Sequence, residues 1–180
     1  MTAYPRAELE EMVERWLQAN RDGEAAGDWR PMAELYTADA TYAWNYGPNE
    51  DFVAVGRDEI RDVALGVEMG GLDGWEYPYQ KVLIDDQQGE VIGLWKQVAT
   101  KPDGGTYEVA GIGGSWFRYG GNFRWSWQRD FFDVGNATAL FIQMFREGTL
   151  SEGMQRRMDA AGKEQPCRYP VGRGPIGFWD

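Results

Sequence analysis

Apolar residues recur every three or four positions in the first part of the chain, which predicts an amphipathic helix over Ala7–Ala26. Gly27 is expected to end this helix, and Asp28 to cap a short second one. A third helix is predicted from Gly56 up to the Gly70-Gly71 pair. The apolar positions of the three helices are Leu9, Met12, Val13, Trp16 and Leu17, then Met32, Leu35 and Tyr36, then Ile60, Val63, Ala64 and Val67. The N-terminal part is therefore expected to be helical and packed against another layer.

The stretch DATYAWNYGP, residues 39–48, lies between the second and third helices. Its β-branched and aromatic residues predict a strand over Thr41–Trp44, which Gly47-Pro48 ends. Asn45 is an amide among three aromatic side chains, and two roles are open to it. It either satisfies the backbone of a β-bulge or contacts a ligand.

After residue 71 the apolar period changes to two, which predicts β-strands. The predicted strands are near Tyr79–Asp85, Glu90–Thr100, Thr106–Tyr119 and Phe123–Asp133. The turn sequences DDQQG, KPDGG and YGGN separate them, so consecutive strands are expected to pair as an antiparallel meander. Helices followed by such a sheet define an α+β fold, in which the helices cover one face of the sheet.

The end of the chain is predicted to add helices and a docked tail. Helices are expected over Ala139–Arg146 and Ser151–Ala161, followed by RYPVGRGPIGFWD. Because this tail keeps apolar side chains, we expect it to dock on the domain, with Phe178 and Trp179 closing the mouth of a pocket or crossing to a partner subunit. At 180 residues the chain is expected to form one domain.

Composition and charge exclude several classes of partner. The formal net charge of -11 argues against nucleic acid and against an anionic membrane surface, since both bind clustered Lys and Arg. Cys167 is the single cysteine, so no internal disulfide is expected. No apolar run is predicted to act as a signal peptide or to span a membrane, and a cytoplasmic location is therefore expected.

The sequence contains no histidine, which removes the usual acid–base group at neutral pH and the commonest transition-metal ligand. Any catalysis is therefore expected to use carboxylates, tyrosines, lysine or ordered water, with no cofactor and no metal ion. The chain has nine tryptophans within an aromatic content of 14%, which exceeds ordinary packing needs. This content indicates an aromatic-lined pocket, an interface, or both.

Strand alternation divides the last predicted strand into two faces. One face carries Arg124, Ser126, Gln128, Asp130 and Phe132, and the other carries Phe123, Trp125, Trp127, Arg129, Phe131 and Asp133. If Asp130 faces a pocket, then Gln128 faces it too, and Trp127 and Phe131 lie on an outer face that is unusually aromatic for contact with water. This pattern predicts a homodimer formed through the outer face of the sheet.

Three segments together resemble a known superfamily. TADATYAWN, VGRDEIRDVALG and WQRDFFD occur in an order and spacing similar to the SnoaL-like branch of the nuclear transport factor 2-like superfamily, nearest in pattern to limonene-1,2-epoxide hydrolases. The resemblance covers roughly residues 7–140 and implies a cystatin-like cone, in which a curved antiparallel sheet wraps around the first helix and leaves a deep apolar pocket. Residues 1–140 are then the cone, and residues 141–180 are a helical extension and docked tail of the same domain.

The resemblance also implies roles for particular residues. It places Asp130 on the aspartate that activates water in those epoxide hydrolases, and Tyr42 on the tyrosine that assists it. Asn45 lies one residue beyond the family's asparagine, so a bulge is expected to bring it into line. The middle strand carries Trp95 and Gln97 where the family has Arg and Asp. A reaction other than epoxide opening, or no reaction, is therefore expected.

The residues and the resemblance together predict a cofactor-independent enzyme that acts on a small hydrophobic or polycyclic molecule, as an isomerase, cyclase, dehydratase or hydrolase. Asp130 is the expected base, because burial among aromatic rings raises the pKa of a carboxyl group, and Tyr42 and Asn45 are expected to orient the reacting groups. The expected substrate contacts are Trp16, Trp44, Trp95, Gln97, Gln128 and Phe132. Two alternatives stay open: an ion pair of Asp130 with Arg129, and a non-catalytic protein that binds a hydrophobic ligand or serves as an accessory subunit.

Overall fold

The structure is a computed structural model that describes residues 4–160 and 162–180. Helix α1 spans Arg6–Ala26 and ends at Gly27, whose φ of 65° is left-handed as in a common C-terminal helix cap. A 3₁₀ turn follows over Arg30–Leu35. The carboxylate of Asp28 accepts a hydrogen bond of 3.1 Å from the backbone N–H of Arg30 at its start. The first predicted helix is confirmed, and the second is a short 3₁₀ helix. Its N-cap is Trp29, so the prediction of Asp28 as the cap is wrong by one residue, and Tyr36, predicted on this helix, begins a strand.

A seven-stranded sheet forms the body of the domain. Its strands are β1 (Tyr36–Asn45), β2 (Glu50–Val55), β4 (Tyr79–Asp85), β5 (Glu90–Trp95), β8 (Gly113–Gly121), β9 (Arg124–Phe131) and β10 (Arg168–Pro170), in the spatial order β10-β2-β1-β9-β8-β5-β4. Strands β4, β5, β8 and β9 form the predicted antiparallel meander. Strand β1 lies parallel to β9, so the sheet is mixed and mostly antiparallel. The fold is α+β, with N-terminal helices on one face of a curved sheet.

Two long predicted strands are each broken into two. The strand expected over Glu90–Thr100 stops at Trp95, and residues 98–100 form β6 (Val98–Thr100) in a second, three-stranded sheet with β3 (Trp75–Glu76) and β7 (Thr106–Glu108). The strand expected over Thr106–Tyr119 is likewise divided into β7 and β8. Strand β2 was not predicted, since the acidic residues at its start mask its pattern. The small sheet gives the C-terminal helices a surface to pack on.

A β-bulge in β9 changes which tryptophan faces the core. Arg118 and Tyr119 are consecutive on β8, but their partners on β9 are Trp127 and Trp125, so Ser126 is an extra residue. The bulge turns Trp125 to the inner face, where it is fully buried and its ring stacks on Phe117 at 4.7 Å. The prediction that placed Trp125 on the outer face, from strict alternation, is therefore wrong. Asp130 and Gln128 keep the predicted inner face.

The third helix begins as α2 (Arg57–Glu59) and continues in π-helical form over Ile60–Glu68. Helix α3 spans Val134–Glu147, so it begins five residues before the prediction, and the side chain of Asp133 caps it by accepting from the backbone N–H of Asn136. Helix α4 spans Glu152–Asp159. The predicted end of this helix at Ala161 lies outside the described residues. A second apolar cluster joins these C-terminal helices to the small sheet.

The tail docks on the outer face of the large sheet. The indole Nε1 of Trp127 donates to the backbone oxygen of Asp180 at 2.7 Å, and Nε of Arg129 donates to the backbone oxygen of Phe178 at 2.5 Å. The rings of Trp116 and Trp179 lie 6.0 Å apart. Docking of the tail was expected. The expectation that Phe178 and Trp179 close the mouth of the pocket is wrong, because both residues cover the opposite face of the sheet.

Among the described residues, none of the helices combines the length and the apolar character that crossing a bilayer requires.

Candidate active site

A cavity of about 720 Å³ lies between α1, the inner face of the large sheet, the π-helical segment and the C-terminal helices. Its walls are mostly apolar, and a volume of this size accommodates a small organic molecule. All but one of the predicted site residues line it. These are Trp16, Tyr42, Trp44, Trp95, Gln97, Gln128, Asp130 and Phe132.

Asp130 is held by hydrogen bonds from two neighbouring side chains. Tyr42 Oη donates to Oδ2 at 2.5 Å, and Gln128 Nε2 donates to Oδ1 at 2.7 Å. The parallel register of β1 and β9 causes this meeting, since Tyr42 lies opposite Gln128 and Trp44 lies opposite Asp130. The carboxyl group is thus fixed in one orientation at the cavity wall.

Behind this pair, Tyr36 extends the network. Its hydroxyl donates to Oε1 of Gln128, which fixes the amide so that its N–H group points at Asp130. Tyr36 is fully buried, and its ring stacks near that of Tyr42 at 6.3 Å. Tyr36 therefore positions Gln128, and Gln128 positions the carboxyl group.

Burial sets the protonation behaviour of the site. Loss of water contact raises the pKa of Asp130, and the hydrogen bonds from Gln128 and Tyr42 offset part of that rise because they favour the charged form. Burial and the nearby Asp130 charge raise the pKa of Tyr42 well above its usual value. Tyr42 therefore stays a protonated hydrogen-bond donor, while Asp130 is the member of the pair that ionises more readily.

Two tryptophans of the cavity wall have hydrogen-bonded indole nitrogens. Trp16 Nε1 donates to Tyr79 Oη at 2.9 Å, and Trp95 Nε1 donates to Ser115 Oγ at 3.0 Å. Glycine allows one of these contacts, since a Cβ at Gly113 would overlap the ring of Trp95. Gly113 therefore lets the ring of Trp95 lie close against β8 at the cavity wall.

The remaining predicted contacts complete the walls. Trp44 stacks on Phe52 with ring centroids 3.8 Å apart. The amide of Gln97 donates to Tyr77 Oη at 3.4 Å. The ring of Phe132 lies 6.3 Å from that of Trp95. These contacts hold flat rings around the space in front of Asp130.

Asn45 is placed away from the cavity, so the prediction that it orients the reacting groups is wrong in geometry. It is exposed, and its amide donates to Oδ1 of Asp51 at 3.1 Å. The bulge that was expected to align it is absent from this end of β1, where Trp44 pairs with Phe52 and Asn45 with Asp51 in continuous register. Alternation therefore turns Trp44 inward and Asn45 outward. Asp51 also accepts from the backbone N–H of Gly172, so Asn45 belongs to a structural contact.

The sequence reasoning missed two groups of site residues. The first group lines or supports the cavity and consists of Tyr36, Tyr79 and Ser115. The apolar pattern assigned Tyr36 to a helix, and Ser115 belongs to no sequence motif. The second group, at the mouth, includes Glu68 from the π-helical segment and Arg157 and Arg168 from the C-terminal segment. A carboxylate on the apolar side of a predicted helix was the one available signal for Glu68.

Within residues 4–160 and 162–180, no group of three or more His, Cys, Asp or Glu side chains is placed to hold a metal ion.

Comparison with known proteins defines the fold. An NTF2-like protein from Burkholderia pseudomallei, of unknown function, superposes with a TM-score of 0.56 at 14% identity, over 74% of this chain and 96% of its own. An NTF2-like protein from Anabaena variabilis gives 0.54 at 17% identity, over 74% and 94%. A candidate SnoaL-like polyketide cyclase from Jannaschia gives 0.52 at 15% identity, over 74% and 91%. The chain therefore has an NTF2-like α+β fold. No protein-family model and no curated protein matches the sequence.

Proposed function

We propose that the protein is a cofactor-independent enzyme that uses Asp130 as a general base on a small hydrophobic or polycyclic molecule bound in the cavity. The observation that carries the proposal is the Asp130 carboxyl group, desolvated at the cavity wall and held by two hydrogen-bond donors. A raised pKa makes a carboxylate a stronger base at neutral pH, and fixed orientation removes the entropy cost of aligning it.

In the proposed reaction, the Asp130 carboxylate takes a proton from a carbon next to a carbonyl group of the substrate, or from a water molecule. The C–H electron pair forms a C=C bond to the carbonyl carbon, the π pair of the C=O bond moves onto its oxygen, and Asp130 becomes a neutral carboxylic acid. Where a further C=C bond of the substrate is conjugated with this enolate, return of the proton to the far carbon of that bond completes an isomerisation. Removal of a proton from water instead produces a nucleophile for hydrolysis.

Tyr42 and Gln128 support this cycle as hydrogen-bond donors. While Asp130 is charged, both donors point at it and keep it from drawing in water. When Asp130 accepts a proton, Tyr42 is the donor free to turn to the oxyanion of the substrate. Gln128 is held by Tyr36 and keeps its orientation throughout.

Isotope exchange tests the proposal before the substrate is known. A panel of aromatic and polycyclic ketones is incubated with the protein in deuterium oxide, and in heavy-oxygen water for epoxides and esters, and labelling is read by mass spectrometry. The expected result is enzyme-dependent labelling that Asp130→Asn lowers by about 10²-fold or more. Asp133→Asn is the matched control, because asparagine also caps a helix and Asp133 caps α3 outside the site. Full activity of Asp130→Asn would overturn the proposal.

A second candidate function is ligand binding without turnover. It is favoured by the satisfied state of Asp130, whose two carboxyl oxygens are both hydrogen-bonded. Native mass spectrometry of the purified protein addresses this candidate. A bound organic molecule recovered unchanged, with no isotope exchange, supports a binding protein.

We also propose that the protein forms a homodimer through the outer face of the large sheet. The tail covers Trp127, so the contact would use the side chains that it leaves exposed, among them Phe131 and Leu83, which are 44% and 47% exposed. Exposed aromatic and aliphatic side chains on a sheet face are typical of an interface between subunits.

A further inference from the structure

The mouth of the cavity holds arginine side chains that the proposed chemistry does not use. Arg156 and Arg157 from α4 and Arg168 from β10 all line it. The whole chain has a formal net charge of -11, so a cluster of three arginines is opposite in sign to the net charge of the protein. Arg157 and Arg168 are also largely shielded from water, with 23% and 18% of their side chains exposed. Shielding of this kind strengthens their electrostatic effect on a nearby group.

The arginines outnumber the carboxylate that holds them. Glu68 has 3% of its side chain exposed, and it accepts from Nη2 of Arg157 at 3.1 Å and from Nη2 of Arg168 at 2.9 Å. Two positive charges therefore lie against one buried negative charge. The other charges at the mouth, on Arg156 and Glu50, are of opposite sign and exposed, so water screens both of them.

Tyr46 fixes the two guanidinium groups in place. Its hydroxyl accepts from Nη2 of Arg157 at 3.2 Å, and Cζ of Arg168 lies 4.0 Å from the centre of its ring. A guanidinium group that is already held loses little conformational freedom when it binds a further partner. Its planar donors also match the geometry of a carboxylate.

We propose that the mouth binds an anionic oxygen group of the ligand, so that the substrate class is a small aromatic or polycyclic acid. The acid group contacts Arg157 and Arg168, and the rings extend between the aromatic walls towards Asp130. The inference rests on the proposed use of this cavity for a substrate. A role confined to clamping the C-terminal segment onto the π-helical segment is the competing explanation, and it makes no distinction between charged and neutral ligands.

Two fluorescent probes separate these explanations. The anionic probe is 8-anilinonaphthalene-1-sulfonate, and the neutral probe is N-phenyl-1-naphthylamine, which has the same aromatic frame without the sulfonate. Their dissociation constants are measured for the wild-type protein, Glu68→Gln, Arg157→Gln and the double variant. Glu68→Gln keeps the shape of the side chain and one carbonyl acceptor, which can still bind Arg168. Arg157 loses its contact with the side-chain oxygen but keeps its hydrogen bond to the backbone oxygen of Glu68, so part of the clamp remains.

The proposal predicts a response to charge alone. Glu68→Gln is expected to strengthen binding of the anionic probe by about fivefold, and Arg157→Gln to weaken it by about fivefold, the scale of one charge at a partly shielded site. The double variant restores the charge balance and is expected to match the wild type. The dissociation constant of the neutral probe is expected to change by less than about twofold in all three variants, because an uncharged probe interacts weakly with the charges at the mouth.

Arg118→Gln is the matched control, since it removes an arginine from the outer face of the sheet, where it lies against Trp127. It is expected to leave both probes unchanged. Equal responses of the two probes to Glu68→Gln would overturn the anion site and leave the clamp. Failure of both probes to bind the wild-type protein would overturn the ligand site itself, and so the two failures are distinguishable. If Arg157→Gln fails to fold, Glu68→Gln alone decides the question.

Discussion

Tyr42 Oη lies 2.5 Å from Oδ2 of Asp130, although the two residues are 88 positions apart in the sequence. The parallel pairing of β1 with β9 brings them together at the wall of the cavity. The pKa of the carboxyl group and that of the phenol are both raised, chiefly by burial. The pair therefore keeps a proton donor and a proton acceptor side by side without transfer between them.

Asp130→Asn is expected to stabilise the protein above the pKa of Asp130. Because the folded-state pKa is raised, the folded protein holds this proton more tightly than the unfolded chain, and wild-type stability falls as the pH rises through the folded-state value. The asparagine variant does not lose stability in this way, because its side chain does not ionise. Its advantage should vanish at acidic pH, where the carboxyl group is neutral in both states, and grow to a plateau at higher pH. Urea unfolding over a pH series measures it, and a pH-independent difference would contradict it.

Tyr42→Phe is expected to raise the pKa of Asp130 further, since it removes a donor that favours the charged carboxylate. Infrared difference spectra that follow the protonated carboxyl group should show its titration at higher pH. Loss of the hydrogen bond is expected to cost about 1–2 kcal/mol of unfolding free energy at neutral pH.

Tyr107→Phe is the control for this experiment, because Tyr107 also donates to a carboxylate, that of Glu147, and neither residue lines the cavity. It should leave the titration of Asp130 unchanged. The same shift in both variants would show that Tyr42 has no particular effect on Asp130.

Asn45→Ala is expected to change ligand binding in the cavity by less than about twofold, because Asn45 does not line it. The variant is also expected to lower the free energy of unfolding by about 1 kcal/mol, because the hydrogen bond to Asp51 is lost. Trp44→Leu, one residue earlier, faces inward and should weaken binding of the neutral probe by about tenfold through loss of aromatic contact. A larger effect on binding from Asn45→Ala than from Trp44→Leu would refute the assignment.

Phe131→Arg is expected to convert the proposed dimer to a monomer, because it places a charge in the apolar contact on the outer sheet face. Light scattering after size-exclusion chromatography measures the mass. Phe145→Arg is the matched control, as Phe145 is 53% exposed on α3 and lies away from the sheet. Loss of the dimer in both variants, or in neither, would argue against the outer-face interface.

Deletion of residues 175–180 is expected to destabilise the protein by about 1–3 kcal/mol while leaving affinity for the neutral probe unchanged. The deletion uncovers Trp127 and removes two of the acceptors of Arg129, the backbone oxygens of Phe178 and Asp180, on the face opposite the cavity. Thermal unfolding and probe titration provide the two measurements. Loss of probe binding in a folded truncated protein would contradict this prediction and would indicate that the tail contributes to the mouth of the cavity.

Local patterns in the sequence predicted the helices and the meander well. The helical spacing around Trp16 and the run of alternation in 79–85 depend on neighbours close in the chain, and both elements are found where they were expected. The pairing of Asp130 with Tyr42 was expected from the resemblance to the epoxide hydrolases, not from the pattern. Periodicity alone carries no information on which strands become neighbours.

The errors share a physical cause. Trp125 and Asn45 were both misplaced because a single residue in or out of register reverses the face of everything beyond it. Bulges are decided by packing against the neighbouring strand, and that neighbour is distant in the sequence. The mouth was missed for a similar reason, since Glu68 and Arg168 are 100 positions apart and neither carries a motif.

The C-terminal segment supplies the guanidinium groups at the mouth, whereas β1 and β9 supply the carboxyl group and its donors. In the proposed function, admission of a molecule and its chemistry therefore depend on different stretches of one polypeptide. Grafting residues 150–180, together with Tyr46 and Glu68 that hold the two arginines, onto another protein of this fold is expected to transfer the proposed preference for acids and leave the recipient's own reaction in place.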